Sequence, residues 1–149
     1  MRPRLTTLLL LVLLGLSFGA WTHFDRLAER ERLVEDALRA QRTIQSEIRL
    51  RSLLKGAENS PQGWVLEVKS SWFSPGEAEN PLLADFGRPW MDVAGDGERR
   101  MRHPENRIAR KGDAAWWYNP AHGVVRGRVP DQGTDRATIE LYEFINRAP

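Results

Sequence analysis

The sequence has 149 residues, with 22 basic and 20 acidic side chains, a formal net charge of +2 and no cysteine. Without cysteine the chain cannot form a disulfide, a thiolate nucleophile or a cysteine-bound zinc site. Because basic and acidic residues are interspersed, the pattern gives no basic surface of the kind that nucleic-acid binding requires.

The N-terminal region is predicted to be a membrane segment over residues 1–24. Arg2 and Arg4 precede an uncharged run from Leu5 to Phe24, with His23 taken as neutral. About 20 helical residues span about 30 Å, the thickness of a bilayer core. Basic residues before such a segment favour a cytoplasmic N-terminus, so a single-pass protein with its remainder in the periplasm or outside the cell is expected. The membrane-facing residues singled out are Leu8, Leu11, Leu14, Phe18 and Trp21.

A cleaved signal peptide is the alternative for this segment. Ser17 and Gly19, which flank Phe18 just before Ala20, have the small-x-small pattern of a signal peptidase site. Both of these interpretations place the following residues outside the cytoplasm, whereas a third, a buried helix of a soluble protein, does not.

Residues 25–56 are predicted to form an amphipathic helix. No Pro or Gly occurs before Gly56, which suits a helix C-terminus. Gln41 and Gln45 interrupt the apolar stripe, so a coiled-coil scaffold is only weakly indicated. With no helix breaker after Leu5, this helix could continue the membrane segment as one unit. The stripe consists of Leu27, Val34, Leu38, Ile44, Ile48 and Leu53 or Leu54.

Residues 57–149 are predicted to form a β-rich head. Alternating apolar residues predict strands, separated by turn-forming Gly, Pro, Asn and Asp. The expected fold class is α+β, with a three- to four-stranded antiparallel sheet packed on the long helix. The strand segments are 63–69, 114–118, 124–129 and 138–145, and residues 74–113 form a long loop.

Two sequence segments resemble the type IV pilin and type II secretion pseudopilin family. Asn80-Pro81-Leu82 resembles a mid-domain Asn-Pro step of that family. The segment WWYNPAHGVVR resembles its late hairpin through Trp116, Tyr118, Asn119, Pro120, Gly123, Val125 and Arg126. The resemblance implies a structural, membrane-anchored component of an envelope secretion or pilus apparatus, whose partners are the lipid bilayer and other membrane or pilin-like subunits.

The N-terminus departs from that family. Its members are cut before a Phe at a prepilin peptidase site and carry a Glu at the fifth mature position, whereas this chain reads MRPRLTTLLLLV. Three interpretations follow: the chain is a divergent unprocessed relative, it begins at another position, or it does not enter a filament.

The sequence offers little for catalysis or ligand binding. It contains no catalytic or phosphate-binding motif, so no enzyme, cofactor or small-molecule substrate is predicted. Weak calcium candidates are Asp92, Asp96 and Glu98, although Ala94 and His103 stand where an EF-hand needs oxygen ligands. An alternative function is a stalked extracytoplasmic binding module that uses exposed Trp72 and Trp90 for a ligand such as a glycan.

Overall fold

The computed structural model describes residues 3–83 and 87–147, with side chains from Phe24 onward. The chain divides into two units, Met1–Leu33 and Val34–Pro149. One helix, α1 (Pro3–Ser52), supplies the described part of the first unit and the beginning of the second. The second unit adds a three-stranded sheet and a C-terminal helix, so the predicted α+β class is confirmed.

The predicted membrane segment lies, apart from Phe24, outside the residues whose side chains are described. That applies to Leu8, Leu11, Leu14, Phe18 and Trp21. Among the residues that the structure describes, no helix is both long enough and apolar enough to cross a membrane.

Within the second unit, α1 is buried along one face. Its buried residues recur at intervals of three and four, as expected for one side of an α-helix: Ala37, Ala40, Gln41, Ile44 and Ile48. Small alanines therefore occupy part of the face that sequence assigned to larger residues. The helix ends at Ser52, and Gly56 follows with a φ of +87°. Leu53 and Leu54, which were assigned to the stripe, are exposed.

The sheet contains β1 (Met91–Val93), β2 (Trp116–Asn119) and β3 (Val124–Gly127), in the order β1-β2-β3. β2 and β3 form the predicted antiparallel hairpin, but β1 pairs with β2 in parallel. The prediction of an antiparallel sheet is therefore wrong, because the sheet is mixed. β1 comes from the segment predicted to be a loop. It has only three residues between Pro89 and Gly95, too few to show an alternating pattern.

The strand predicted over residues 63–69 is not formed. Val65 makes a single isolated bridge to Asn59, and no ladder continues from it. The assignment placed Trp64, Leu66 and Val68 on one face, yet Leu66 is 41% exposed while Val65 and Val68 are buried. Instead, the backbone makes a short local turn, in which Ser60 N–H donates to Trp64 O.

The strand predicted over residues 138–145 is also wrong, because this segment is α2 (Asp135–Ile145). Thr134 caps the helix by accepting from Ala137 N–H, and Asp135 lies in the first turn. The buried residues Thr138, Tyr142 and Ile145 are spaced by four and three. The β-branched and aromatic composition suggested a strand, but the cap and this spacing favour a helix.

The main core lies between α1 and the hairpin. Ile44 and Ile48 pack in one cluster with Trp116, Tyr118 and Val125. The packing of the hairpin on the amphipathic helix is thus as predicted. A second cluster joins Val129 to Tyr142 and Ile145 of α2.

Candidate functional site

The hairpin that resembles the pilin family is almost entirely buried. Trp116 and Tyr118 of β2 are fully inaccessible. Trp116 Nε1 donates to Ala78 O at 2.9 Å, and Tyr118 Oη donates to Val65 O at 2.6 Å. Burial raises the pKa of Tyr118 above its ordinary value, so the phenol remains a donor. These two residues thus attach β2 to the preceding loops.

Asn119 is the main polar anchor of the hairpin. Its Nδ2 atom donates to three backbone carbonyls, those of Glu98, Arg99 and Met101. Its Oδ1 atom accepts from Ala121 N–H at 2.9 Å, which forms an Asx turn at the tip. One buried side chain therefore fixes both the tip of the hairpin and the 3₁₀ turn Glu98–Arg100.

The tip of the hairpin also contacts the loop after α1. Pro120 O accepts from Ser60 Oγ at 2.8 Å. Gly123 has a φ of +62°, and a Cβ atom placed there would lie 2.1 Å from the Trp64 ring. Glycine is therefore required at this position both by the backbone conformation and by the contact with Trp64.

Glutamines of α1 cover the free edge of β3. Gln45 Oε1 accepts from Val125 N–H at 3.1 Å, and its Nε2 donates to Gly123 O. Gln41 Nε2 donates to Val125 O at 3.0 Å. The polar groups that interrupt the apolar stripe are therefore partners of the strand edge.

Asn146, directly after α2, continues this cover toward the end of β3. Its Oδ1 accepts from Gly127 N–H at 2.8 Å and from Gln41 Nε2 at 3.0 Å. Its Nδ2 donates to Gly127 O and Tyr142 O, both at 2.9 Å. Its own carbonyl accepts from Arg126 Nη1. Three carboxamides thus pair the N–H and C=O groups of Val125 and Gly127 that would otherwise be open to another strand.

The Asn-Pro step at residue 80 has a comparable role at the open end of the hairpin, next to the start of β2 and the end of β3. Asn80 is buried, and its Nδ2 donates to Ala115 O at 3.3 Å and Arg128 O at 3.0 Å. Its Oδ1 accepts from Leu82 N–H. Both segments that resemble the pilin family therefore act on the same hairpin.

Arg126 and His103 belong to a basic cluster near α2. His103 Nδ1 lies 3.0 Å from Tyr142 Oη. Burial, and then the positive charges of Arg126, Arg107 and Arg102, lower the pKa of His103, while Glu143 raises it. Burial raises the pKa of Tyr142 to about 12, so its hydroxyl stays protonated within hydrogen-bond distance of Nδ1. The arrangement stabilises a neutral histidine.

The calcium candidates have separate intramolecular partners. Asp92 Oδ2 lies 2.6 Å from Nη1 of the buried Arg128, Asp96 pairs with Arg99 at 2.9 Å, and Glu98 accepts from Gly95 N–H at 3.4 Å. Within residues 3–83 and 87–147, no three His, Cys, Asp or Glu side chains are grouped to hold a metal ion.

The tryptophans assigned to a binding surface are half-buried. The Arg51 guanidinium lies 4.3 Å from the ring centroid of Trp72, and Trp90 packs beside Phe73 while donating to Ala78 O. Trp64, Trp116 and Trp117 are also half-buried or buried. The described tryptophans fill the interior of the head.

The sequence motif identifies the hairpin but not the residues that hold it. In the sequence, Gln41 and Gln45 are only interruptions of an apolar stripe, and no motif marks Asn146. A polar amide in an otherwise apolar helix face is the signal that could have indicated a buried hydrogen-bond partner.

Comparison of the chain with protein-family models, curated proteins and solved structures gave no match.

Proposed function

We propose that this protein is a membrane-anchored, pilin-like or pseudopilin-like structural component of an envelope secretion or pilus apparatus. It acts through helix packing and protein–protein contacts. The N-terminal apolar segment is the anchor, and the head lies in the periplasm or outside the cell. The partners are the bilayer and other membrane or pilin-like subunits.

The observation that carries this proposal is the attachment of the hairpin to α1. Asn119 of the motif donates to three backbone carbonyls of the turn at residues 98–101. Trp116 and Tyr118 are wholly buried against Ile44 and Ile48. The motif is therefore used to build a rigid head on a helix, which suits a structural role.

The covered edge of β3 supports contacts through helices. Gln41, Gln45 and Asn146 occupy the hydrogen-bonding groups that β-strand addition would need. The first unit is a helix, and its Leu27 side chain is 44% exposed. A partner at this helix would use apolar packing.

Anchoring is tested on the full chain expressed in a bacterial host. We expect the protein to resist alkaline extraction of membranes and mass spectrometry to find the uncleaved apolar segment. A soluble protein that begins near Ala20 would refute the anchor.

Helix-mediated assembly is tested by placing a photo-crosslinking amino acid at Leu27 in the native host. Leu66 in the head, 41% exposed, is the matched control. We expect adducts from Leu27 with proteins that carry an N-terminal apolar helix, and much weaker adducts from Leu66. The opposite pattern, or no adduct from Leu27 at equal expression, would contradict the proposal.

A further inference from the structure

A groove of about 420 Å³ lies between the middle of α1 and the tip of the hairpin. We call it the basic groove, because its ionisable lining residues are three arginines and a histidine, with no carboxylate among the described residues that line it. They are Arg42, Arg49, Arg126 and His122. The described residues that line the groove therefore carry charge of one sign only.

Two of these arginines are available to a partner. Arg42 and Arg49 are exposed, and neither forms an ion pair with the described residues. Arg126, in contrast, is half-buried and donates to Arg102 O and Asn146 O. The groove therefore has two free guanidinium groups and one fixed one.

The spacing of the free arginines indicates the shape of the partner. Arg42 and Arg49 are seven residues apart on α1, which places them on nearly the same face and about 10.5 Å apart along the axis. On a partner helix, carboxylates seven residues apart have the same spacing. On an extended strand, side chains of one face repeat at about 6.6 and 13 Å and do not match it.

The remaining lining is partly apolar and partly polar, and two of its buried polar atoms lack a hydrogen-bond partner. Trp64, Val124 and Val125 provide apolar surface. Two buried polar atoms of lining residues, Gln41 Oε1 and His122 Nε2, have no partner among the described residues. Unsatisfied buried polar groups are uncommon in folded proteins, and these two belong to residues that line the groove together with Arg42 and Arg49.

We infer that the basic groove docks an acidic amphipathic helix of a partner protein, through two carboxylates seven residues apart that pair with Arg42 and Arg49. The helix runs beside α1, and its apolar side contacts Val124 and Trp64. Opposite charge fixes the register of this helix against Arg42 and Arg49 and accelerates its association. This inference does not depend on the pilin-like proposal.

The test uses the full chain in non-ionic detergent and dye-labelled helical peptides. The first probe has two Glu seven residues apart with Leu between them. A second probe has Gln in place of Glu, and a third has the two Glu five residues apart, on different faces. We expect fluorescence anisotropy to show binding of the first probe alone, and binding that weakens between about 50 mM and about 500 mM salt.

Matched variants separate the groove from net charge. R42Q/R49Q should weaken binding of the first probe by at least about tenfold, and R42E/R49E should bind a probe with Lys in place of Glu. The control R100Q/K111Q removes two exposed positive charges elsewhere and should change affinity less than about twofold.

Several outcomes would overturn the inference. These are equal binding of the Glu and Gln probes, equal losses in R42Q/R49Q and the control, or unchanged binding in R42Q/R49Q. If R42Q/R49Q alters only the protein's own sedimentation, the groove joins two copies of this chain and the inference is wrong.

Discussion

The tip of the hairpin depends on two residues, Asn119 and Gly123, that cannot be replaced even by similar residues. Asn119 uses both ends of its amide, as a donor to three carbonyls and as an acceptor from Ala121 N–H. Gly123 uses the absence of a side chain, since it packs against the face of Trp64. Both effects are large enough to measure as changes in the free energy of unfolding.

Asn119→Asp keeps the size and the acceptor of the side chain but replaces its donor with a negatively charged oxygen. That oxygen would face the carbonyls of Glu98, Arg99 and Met101. We expect a loss of about 3 kcal/mol in the free energy of unfolding, measured by urea denaturation. The exposed Asn106→Asp makes the same chemical change and should cost less than about 0.5 kcal/mol. Equal losses would show that Asn119 is not a buried anchor.

Gly123→Ala adds a methyl group where the Trp64 ring lies 2.1 Å away. Gly112→Ala is a suitable control, because Gly112 has a φ of +90° but no atom within 4 Å of the added Cβ. We expect a loss of about 1 kcal/mol for Gly112→Ala from backbone strain alone, and about 3 kcal/mol or more for Gly123→Ala. Similar values for the two variants would mean that Trp64 moves aside without cost.

At the scale of elements, β3 is an edge strand whose outward backbone groups are not available to another strand. Its outward backbone groups bond to side-chain amides from α1 and from the residue after α2. These bonds occupy the positions that a fourth strand would use. They also bring the two helices to the same strand.

Asn146→Ala should expose the end of this edge. The variant removes the partners of Gly127 N–H and Gly127 O and one partner of Gln41 Nε2. We expect a loss of about 2–4 kcal/mol in the free energy of unfolding, since buried backbone groups lose their partners. Amide hydrogen exchange should accelerate at Gly127 more than at Arg126, whose N–H points toward β2. Asn106→Ala is the control, and uniform acceleration along β3 would argue against a local edge cover.

The sequence predicted the elements that are long or carry turn chemistry, and missed those decided by tertiary contacts. The hairpin was recognisable because Asn119, Pro120 and Gly123 specify its turn locally. α2 was mistaken for a strand because composition was weighed above the Thr134 cap and the spacing of its buried residues. β1 could not be predicted, since three residues carry no period and β2 alone provides their partner.

The groove and the calcium candidates show the same limit, because contacts between distant segments cannot be recognised from the sequence. The motif residues were identified from the sequence, but the basic groove was not, because Arg42 and Arg49 come from the helix while Val124 and Trp64 come from two other segments. The calcium candidates were close in sequence, yet Asp92 pairs with Arg128, more than thirty positions away. Proximity along the chain therefore indicated neither the partner nor the pocket.

At the scale of the whole molecule, His103 connects three parts of the head. The 101–109 loop carries it, and Tyr142 of α2 lies within hydrogen-bond distance of its Nδ1 atom. Burial, and then the charge of Arg126 of β3, lowers its pKa. Its protonation is therefore linked to the stability of the folded head rather than to one local bond. Protonating it places a positive charge in a partly buried position beside three arginines.

The stability of the protein should therefore fall on acidification below about pH 6.5. The folded-state pKa of His103 lies below its unfolded value of 6.5, so the unfolded chain binds the proton first. The contribution of neutral His103 to the free energy of unfolding is complete above pH 6.5 and is lost as the pH decreases toward the folded pKa.

Urea denaturation of the full chain between pH 5 and pH 8 should show this decrease in the free energy of unfolding, and His103→Gln should reduce it. Two neighbouring residues should change the pH range over which stability falls in opposite directions. Arg102→Gln should narrow this range, because it removes a charge that lowers the pKa of His103. Glu143→Gln should widen it, because it removes a charge that raises that pKa. A slope that His103→Gln leaves intact would assign the pH dependence to other groups.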